Sequence, residues 1–459
     1  MNKQEINQLF DSQKAYFFRG ETRQLTFRKQ QLRKLRVALR KSESKISKAL
    51  FDDLHKSPFE AYSTEIGFVL EELRYHLRHL SGWMKPKRVG NPITNFPAAA
   101  RLVHEPKGTV LIIAPWNYPV QLLIAPLIGA ISAGNTVVLK PSELAVNTAE
   151  VIGEIINSCF DKEYIHVVNG GVETAKHLLA LEFDHIFFTG STYVGRMVAQ
   201  EAAKKLIPVT LELGGKSPCI VDEDVDVKLA ARRMMWGKLI NAGQTCIAPD
   251  YLLVHESVKD KLLPELVNAV QSFFGDDPEQ SPDYPRIINE PNMQRLGQLI
   301  EGADIYHGGK YNLSTRYFEP TILNNVDFEM PVMQQEIFGP VLPVLTFQEL
   351  DELIAESNRM PKPLALYFFS KDKKKQQKII EQYRAGGVCI NDTLMHIANP
   401  KLPFGGTGHS GMGAYHGKYS FTTFSHAKSV VNKGNWLDMP IRYAPFKKNK
   451  LNIIKKLMK

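Results

Sequence analysis

Cys246 stands in the run Gly243-Gln244-Thr245-Cys246-Ile247-Ala248-Pro249, a polar, glycine-bounded turn between an amphipathic stretch ending near Asn241 and the strand-like Tyr251-Leu252-Leu253-Val254. A thiol on such a turn can be presented to a substrate instead of being packed into a core, which makes Cys246 the candidate nucleophile. A free thiol titrates at about 8.5 and attacks only as thiolate, so the chemistry also needs a base, dipole or cation close by. Glu212 meets that need, at the end of the apolar run Val209-Thr210-Leu211-Glu212 and before Leu213-Gly214-Gly215-Lys216-Ser217. Burying an acid there is costly, and the same desolvation lifts its pKa toward neutrality, where a general base works best. Cys246 alone reads as a small buried hydrophobe. The surrounding Gly, Gln and Asn, taken with Glu212, turn the reading toward chemistry.

Four further stretches carry groups that suit such a site. Ala114-Pro115-Trp116-Asn117-Tyr118-Pro119 is a rigid turn whose Asn117 amide could donate to a developing oxyanion, or could simply form the turn. Lys140-Pro141-Ser142-Glu143 follows an apolar run and offers a cation and a carboxylate to ribose hydroxyls; the alternative is a helix start capped by Ser142 with Glu143 on the helix dipole. Gly190-Ser191-Thr192-Tyr193-Val194-Gly195 passes from a strand into a helix, so its backbone N–H groups can face a pyrophosphate. In Gln335-Glu336-Ile337-Phe338-Gly339-Pro340, Glu336 could hold a ribose and Phe338 support a nicotinamide, or the run could be a capped helix end. The G-x-G-x-x-G at Gly406–Gly411 has no strand before it and is set aside, as is Gly214-Gly215-Lys216-Ser217, which lacks the first glycine of a phosphate loop. Thirteen histidines show no metal-ligand spacing, so no metal is expected.

The elements that must position these groups follow from pattern. At 459 residues the chain exceeds one ordinary core, which predicts two or three domains. From Glu5 to about Trp83 apolar residues recur at helical spacing and carry no obvious chemistry. Pro86 to Pro106 reads as an arm or linker ending in a strand near Ala99–Val103. From Thr109 short apolar runs alternate with helical stretches, the pattern of parallel α/β sheets, and a second such series follows Glu212. Cys159, Cys219, Cys246 and Cys389 are scattered, which predicts reduced thiols in a cytoplasmic protein. The start is polar, with no signal peptide expected, and no apolar stretch is long enough to span a bilayer. The net charge of +9 is concentrated between Arg28 and Lys45 and in the tail lysines 447, 448, 450, 455, 456 and 459, without interleaved aromatics, so nucleic acid is not expected as a partner.

Taken together and in this order, the motifs resemble the aldehyde dehydrogenase superfamily over nearly the whole chain. Asn241–Cys246 and Leu211–Lys216 look like its two active-site signatures; Lys140–Glu143 and the ending Gly411–Lys418 with Phe424-Ser425-His426 resemble the class 3 branch acting on fatty or aromatic aldehydes. The resemblance implies NAD(P)-dependent oxidation of an aldehyde to the acid, NAD being the expected cofactor and NADP the alternative. It implies Cys246 as nucleophile, Glu212 as general base and Asn117 with the Cys246 N–H as oxyanion hole. Cofactor contacts are expected from Trp116, Lys140, Ser142, Glu143, the turn Gly190, Ser191, Thr192, Tyr193, Val194, Gly195, and Glu336 with Phe338. The implied fold is α/β: a Rossmann-like parallel-sheet NAD-binding domain over 1–84 and 104–210, a second α/β catalytic domain over 211–398, and small β bridging segments at 85–103 and 399–435 that form a homodimer. The basic tail 436–459 places Leu451, Ile454 and Met458 at helical spacing among lysines, like a surface helix. Membrane-associated class 3 members continue into an apolar anchor; this chain stops first, so an integral anchor is not expected and peripheral membrane contact stays open.

Overall fold

The apolar runs between 109 and 212 are buried on both faces, which requires helices above and below and favours parallel pairing. In the computed structural model, which describes residues 1–458, they form strands Thr109–Ile113, Thr136–Lys140, Ile165–Val167, His185–Thr189 and Val209–Glu212, all paired in parallel. The first strand lies between the second and the fourth, so the chain builds outward in both directions and opens a crevice at the carboxyl ends. Register fixes what meets there: Ile113 pairs with both Lys140 and Phe188, and Thr189 pairs with Glu212. The loops bearing Asn117, Glu143 and Gly190 therefore leave one edge of one sheet.

This sheet runs through Glu212, two residues past the expected boundary at 210, and takes Gly411–Met412 from the segment expected to serve bridging. Gly411 pairs with Glu212, and the Leu213 N–H donates to the Ser410 carbonyl (3.1 Å). The physical reason is the open edge of the Val209–Glu212 strand, whose backbone groups need partners. The Gly406–Gly411 stretch thus straps a sheet edge, and the Thr192 hydroxyl donates to its His409 carbonyl (3.1 Å).

A second sheet of seven strands joins Pro218–Val221, Tyr251–His255, Thr321–Leu323, Val341–Phe347, Ala365–Phe369 and Gly387–Ile390 in parallel, with Ile305–His307 antiparallel at one edge. A third sheet is antiparallel: Lys87–Val89, Ala98–Pro106 and Ser425–Lys433, the last paired over nine residues from Ser425↔Pro106 to Lys433↔Ala98.

The N-terminal periodicity becomes helices Lys3–Arg19, Leu25–Lys41, Glu43–Leu54 and Gly67–Trp83. Leu32, Leu35, Leu39, Leu73 and Leu80 join the core around helix Gln121–Ala133, which is buried on every side between these helices and the first sheet. The tail forms helix Lys448–Leu457, with Ile454 beside Thr94, Ala98 and Val431 of the third sheet region. Among the described residues no helix is long and apolar enough to cross a membrane.

Candidate active site

Helix Val227–Leu239 delivers the chain to the cysteine turn through three successive left-handed residues, Asn241, Ala242 and Gly243, with φ of 52°, 50° and 74°. Two of them carry side chains, a conformation that L-residues adopt only when their surroundings impose it. Glycine is required at 243, because a Cβ there would strike the backbone of Gly339. The turn leaves Cys246 partly exposed in the wall of a cavity of about 790 Å³. Phe59, Phe68, Trp236, Phe273, Phe274 and Leu394 give that cavity apolar walls. Burial pushes the Cys246 thiol up, and the charges of Glu336 and Glu212 push the same way. Those two carboxyls are thus within electrostatic reach of the sulfur.

Glu212 ends its strand 3% exposed, and neither carboxyl oxygen has a hydrogen-bond partner. Burial alone drives its pKa well above the carboxylate range. An orphaned carboxyl of this kind is costly, and such groups mark functional sites. Asn117 is buried; one N–H of its amide donates to the Gln244 carbonyl (3.0 Å), and the second is left for another acceptor.

The N-terminal helices, expected to carry no chemistry, supply three charged groups beneath this site. Ser57 caps the short helix Pro58–Ala61, and a wide π-helical turn over Tyr62–Ile66 follows. Lys56 and Glu65, both wholly buried, pair at 2.6 Å. Lys56 also donates to the Asn117 carbonyl (3.0 Å), while Glu65 accepts the N–H groups of Val120 (2.9 Å) and Gln121 (3.0 Å) at the start of helix Gln121–Ala133. The pair therefore fixes the backbone of Asn117 from below. Glu60 accepts the Asn241 N–H (2.8 Å), and burial raises its carboxyl to about 7. Among Ser57, Tyr62, Ser63 and Thr64 the acids at 60 and 65 carry no sequence signal that sets them apart from a solvated helix face.

None of the residues expected to hold a dinucleotide lines the apolar cavity at Cys246. Lys140, 3% exposed, donates to Glu143 (2.8 Å) and to the Pro141 carbonyl (3.1 Å). Ser142 accepts the Leu144 N–H and makes a turn; the helix begins only at Val146, so the capping alternative is replaced. Ser191 caps helix Thr192–Ala203 by accepting the Val194 N–H (3.3 Å), leaving first-turn N–H groups of an exposed helix start available to an anion. Gly195 lets that helix press on the first sheet, because a Cβ there would run into Leu213. Tyr193 and Val194 are exposed beside it.

The run Gln335–Pro340 opens at Gln335, the C-cap of the short helix Pro331–Gln334, and continues as an irregular loop that carries Glu336 and Phe338, the latter with φ 50°. Lys216 donates to the Gln335 carbonyl (2.9 Å), Arg295 to the Ile337 carbonyl (2.7 Å), and Asp250 accepts the Ile337 N–H (2.9 Å). The ring of Phe338 meets Trp116 edge-on, centroids 5.4 Å apart. A Cβ at Gly214 would run into the Glu336 carboxyl, so the first glycine of the run discarded as a phosphate loop serves to admit Glu336. Burial, with the charge of Asp250 adding, raises Glu336 to about 8 against the opposing pull of the Gly215 N–H, Lys216 and Arg295.

Residues 1–430 match the aldehyde dehydrogenase family. The chain belongs to that family. Its relatives include the 4,4'-diaponeurosporen-aldehyde dehydrogenase of Staphylococcus aureus, 51% identical over 99% of both chains. The dimeric NADP-preferring aldehyde dehydrogenase of Mus musculus is 46% identical, over 93% of this chain and 94% of that one. A solved structure described as the substrate-bound state of Staphylococcus aureus AldH superposes with a TM-score of 0.97 at 51% identity, covering 99% of each chain. As an aldehyde dehydrogenase, the protein is an NAD(P)-dependent oxidoreductase that converts an aldehyde to a carboxylic acid. The α/β architecture of parallel sheets agrees with that family.

Proposed function

We propose that Cys246 is the nucleophile, Glu212 the general base, and Asn117 with the Cys246 backbone N–H the oxyanion hole. One observation carries this reading: Cys246 lines an apolar cavity while feeling the charge of Glu212, a buried carboxyl with no hydrogen-bond partner. Addition of the thiolate to the carbonyl carbon makes a thiohemiacetal, whose oxyanion the Asn117 amide and the backbone N–H stabilise. Removal of the thiol proton falls to Glu212, directly or through water: burial makes its carboxylate a stronger base, which works against the burial that also holds the Cys246 thiol up. A bound nicotinamide would supply the hydride acceptor for the former carbonyl carbon, whose oxidation leaves a thioester on Cys246. Having passed the thiol proton on to solvent, Glu212 takes a proton from water, the hydroxide oxygen attacks the thioester carbonyl, and the acid departs as the thiolate is restored.

The residues fit the cofactor: an open helix start after Gly190 would hold the pyrophosphate, the Lys140–Glu143 pair the adenosine ribose, and Glu336 with Phe338 and Trp116 the nicotinamide end. Because Lys140 is already neutralised by Glu143, no free cation is left there for a 2′-phosphate, and we read NAD as the preferred form. Steady-state kinetics with both cofactors test this, and a higher kcat/KM with NADP would reverse it.

For the substrate we read a long apolar aldehyde. The aromatic walls and the volume of about 790 Å³ suit one, and the Staphylococcus aureus relative is named for a polyene aldehyde. A series of straight-chain aldehydes should show kcat/KM rising with chain length; a maximum at two or three carbons would contradict it. The assembly we read is a homodimer through the antiparallel sheet, whose strand Ser425–Lys433 is mostly exposed, with the tail helix across a shared cleft from it. Sedimentation at micromolar concentration tests that reading.

A further inference from the structure

The cysteine turn holds a conformation that its own residues disfavour, so something outside it must impose that shape. Three contacts come from amides: Asn241 Nδ2 donates to the Asn117 carbonyl (2.8 Å) and the Gln244 carbonyl (3.1 Å), and Gln244 Nε2 donates to the Asn241 carbonyl (3.0 Å). Gln244 is itself tied to a neighbouring loop, accepting from the Ile288 N–H (2.9 Å) and donating to the Arg286 carbonyl (3.0 Å). The Asn241 N–H, at the first left-handed residue, has one acceptor, Glu60 Oε1 at 2.8 Å. A buried amide N–H without that acceptor would be orphaned at the most strained point of the turn.

Glu60 comes from a different part of the chain, 181 residues earlier, and is 8% exposed in the same cavity wall as Tyr118, Thr245 and Cys246. Tyr118 and Thr245 share a hydrogen bond of 2.7 Å there. The charged groups that face Glu60 are Lys56 from the preceding segment, Glu65 from the following turn, and Asp283 from the loop across the cavity. Lys56 is engaged with Glu65 and the Asn117 carbonyl, so the Asn241 N–H is the one group that fixes where the Glu60 carboxyl points.

We propose that Glu60 is a positioning residue: by accepting the Asn241 N–H it holds the left-handed turn at 241–243 and thereby sets where the Cys246 sulfur meets the substrate carbonyl. The assignment rests on Cys246 being the nucleophile. It is the acceptor atom that matters in this role, and a neutral amide oxygen at the same position supplies it as well as a carboxylate.

Full-length Glu60→Gln, Glu60→Asp, Glu60→Leu and Cys246→Ala proteins test the proposal through three readouts: kcat and KM with decanal and NAD, the alkylation rate of Cys246 by iodoacetamide, and the melting temperature. Removing the acceptor in Glu60→Leu should lower kcat on the order of tenfold and slow alkylation in parallel, with KM changed less than about threefold. Glu60→Gln should recover most of both rates. Glu60→Asp, whose carboxyl falls short by one methylene, should lose rate although it keeps the charge, and it decides the matter if the Leu variant does not fold. Equal impairment of Gln and Asp, or wild-type kcat and alkylation in Leu or Asp, would overturn the role. A lowered melting temperature with unchanged alkylation would also overturn it, as a purely structural contact. Activity surviving in Cys246→Ala would instead remove the reading beneath it.

Discussion

The amide of Gly190 donates to the carbonyl oxygen of Glu212 at 3.0 Å, joining the turn proposed for the cofactor to the residue proposed as base. The bond extends the Thr189↔Glu212 pairing by one step beyond the sheet. The turn and the backbone that carries the Glu212 side chain are therefore joined, and a change that moves the turn moves the end of that strand.

Gly195→Val tests that connection. A Cβ at Gly195 would run into the buried Leu213 side chain, so that side chain or the helix start must shift. Overpacking of this kind costs ~1–3 kcal/mol, and cofactor affinity should fall about tenfold or more. Titration of NAD by protein fluorescence measures it; wild-type affinity would show that the helix start does not contact the dinucleotide.

Asn117→Ala removes the side-chain half of the oxyanion hole. Turnover should drop by ~10²–10³ with much less change in KM. The variant also removes one of the two amide donors to the Gln244 carbonyl, so the melting temperature is needed beside the rates. A loss confined to KM would reassign Asn117 to binding.

Lys56→Met leaves the Glu65 carboxyl buried without its partner. Breaking a buried pair in this way costs ~3–5 kcal/mol, whereas replacing both members by Lys56→Met with Glu65→Gln should recover part of it. Denaturant unfolding would report the difference. If the single and double variants are equally stable, the ion pair is not what holds the start of helix Gln121–Ala133.

Glu336 gives a pH dependence with a definite sign. Its carboxyl is raised to about 8 from an ordinary value of ~4.5, so between these limits the native state holds a proton that the unfolded chain has lost. That contribution to stability is fully present below ~4.5 and disappears as pH rises through about 8. Glu336→Gln removes it. Melting temperatures at pH 5 and 8.5 should therefore fall more in the wild type than in the variant; parallel curves would mean the carboxyl is ionised throughout.

Much of the frame was legible because it follows from short-range pattern. Buried runs such as Thr109–Ile113 and His185–Thr189 announce themselves by composition, and Gly190 and Ser191 by their position between a strand and a helix. The residues proposed for chemistry were legible because Glu212 and Cys246 look costly where they stand. Glu60, Lys56 and Glu65 were not, since a charge on an amphipathic helix ordinarily faces water. Only the packing of Pro58–Ile66 under the site turns these three inward. The purpose of Gly214 was hidden for a related reason: admitting Glu336, 122 positions further along, depends on a contact that no local pattern encodes. The edge strap at Gly411 likewise answers an open strand elsewhere in the sheet.

The central claim is that substrate carbon becomes covalently attached to Cys246 and that Glu212 governs its release. Mass spectrometry of the Glu212→Gln protein, quenched after mixing with decanal and NAD, tests it most directly. The account predicts a burst of NADH near one equivalent per active site, together with a decanoyl thioester on the peptide that contains Cys246. An adduct on another residue, or a burst with no adduct in a protein that still turns over after Cys246→Ala, would contradict it.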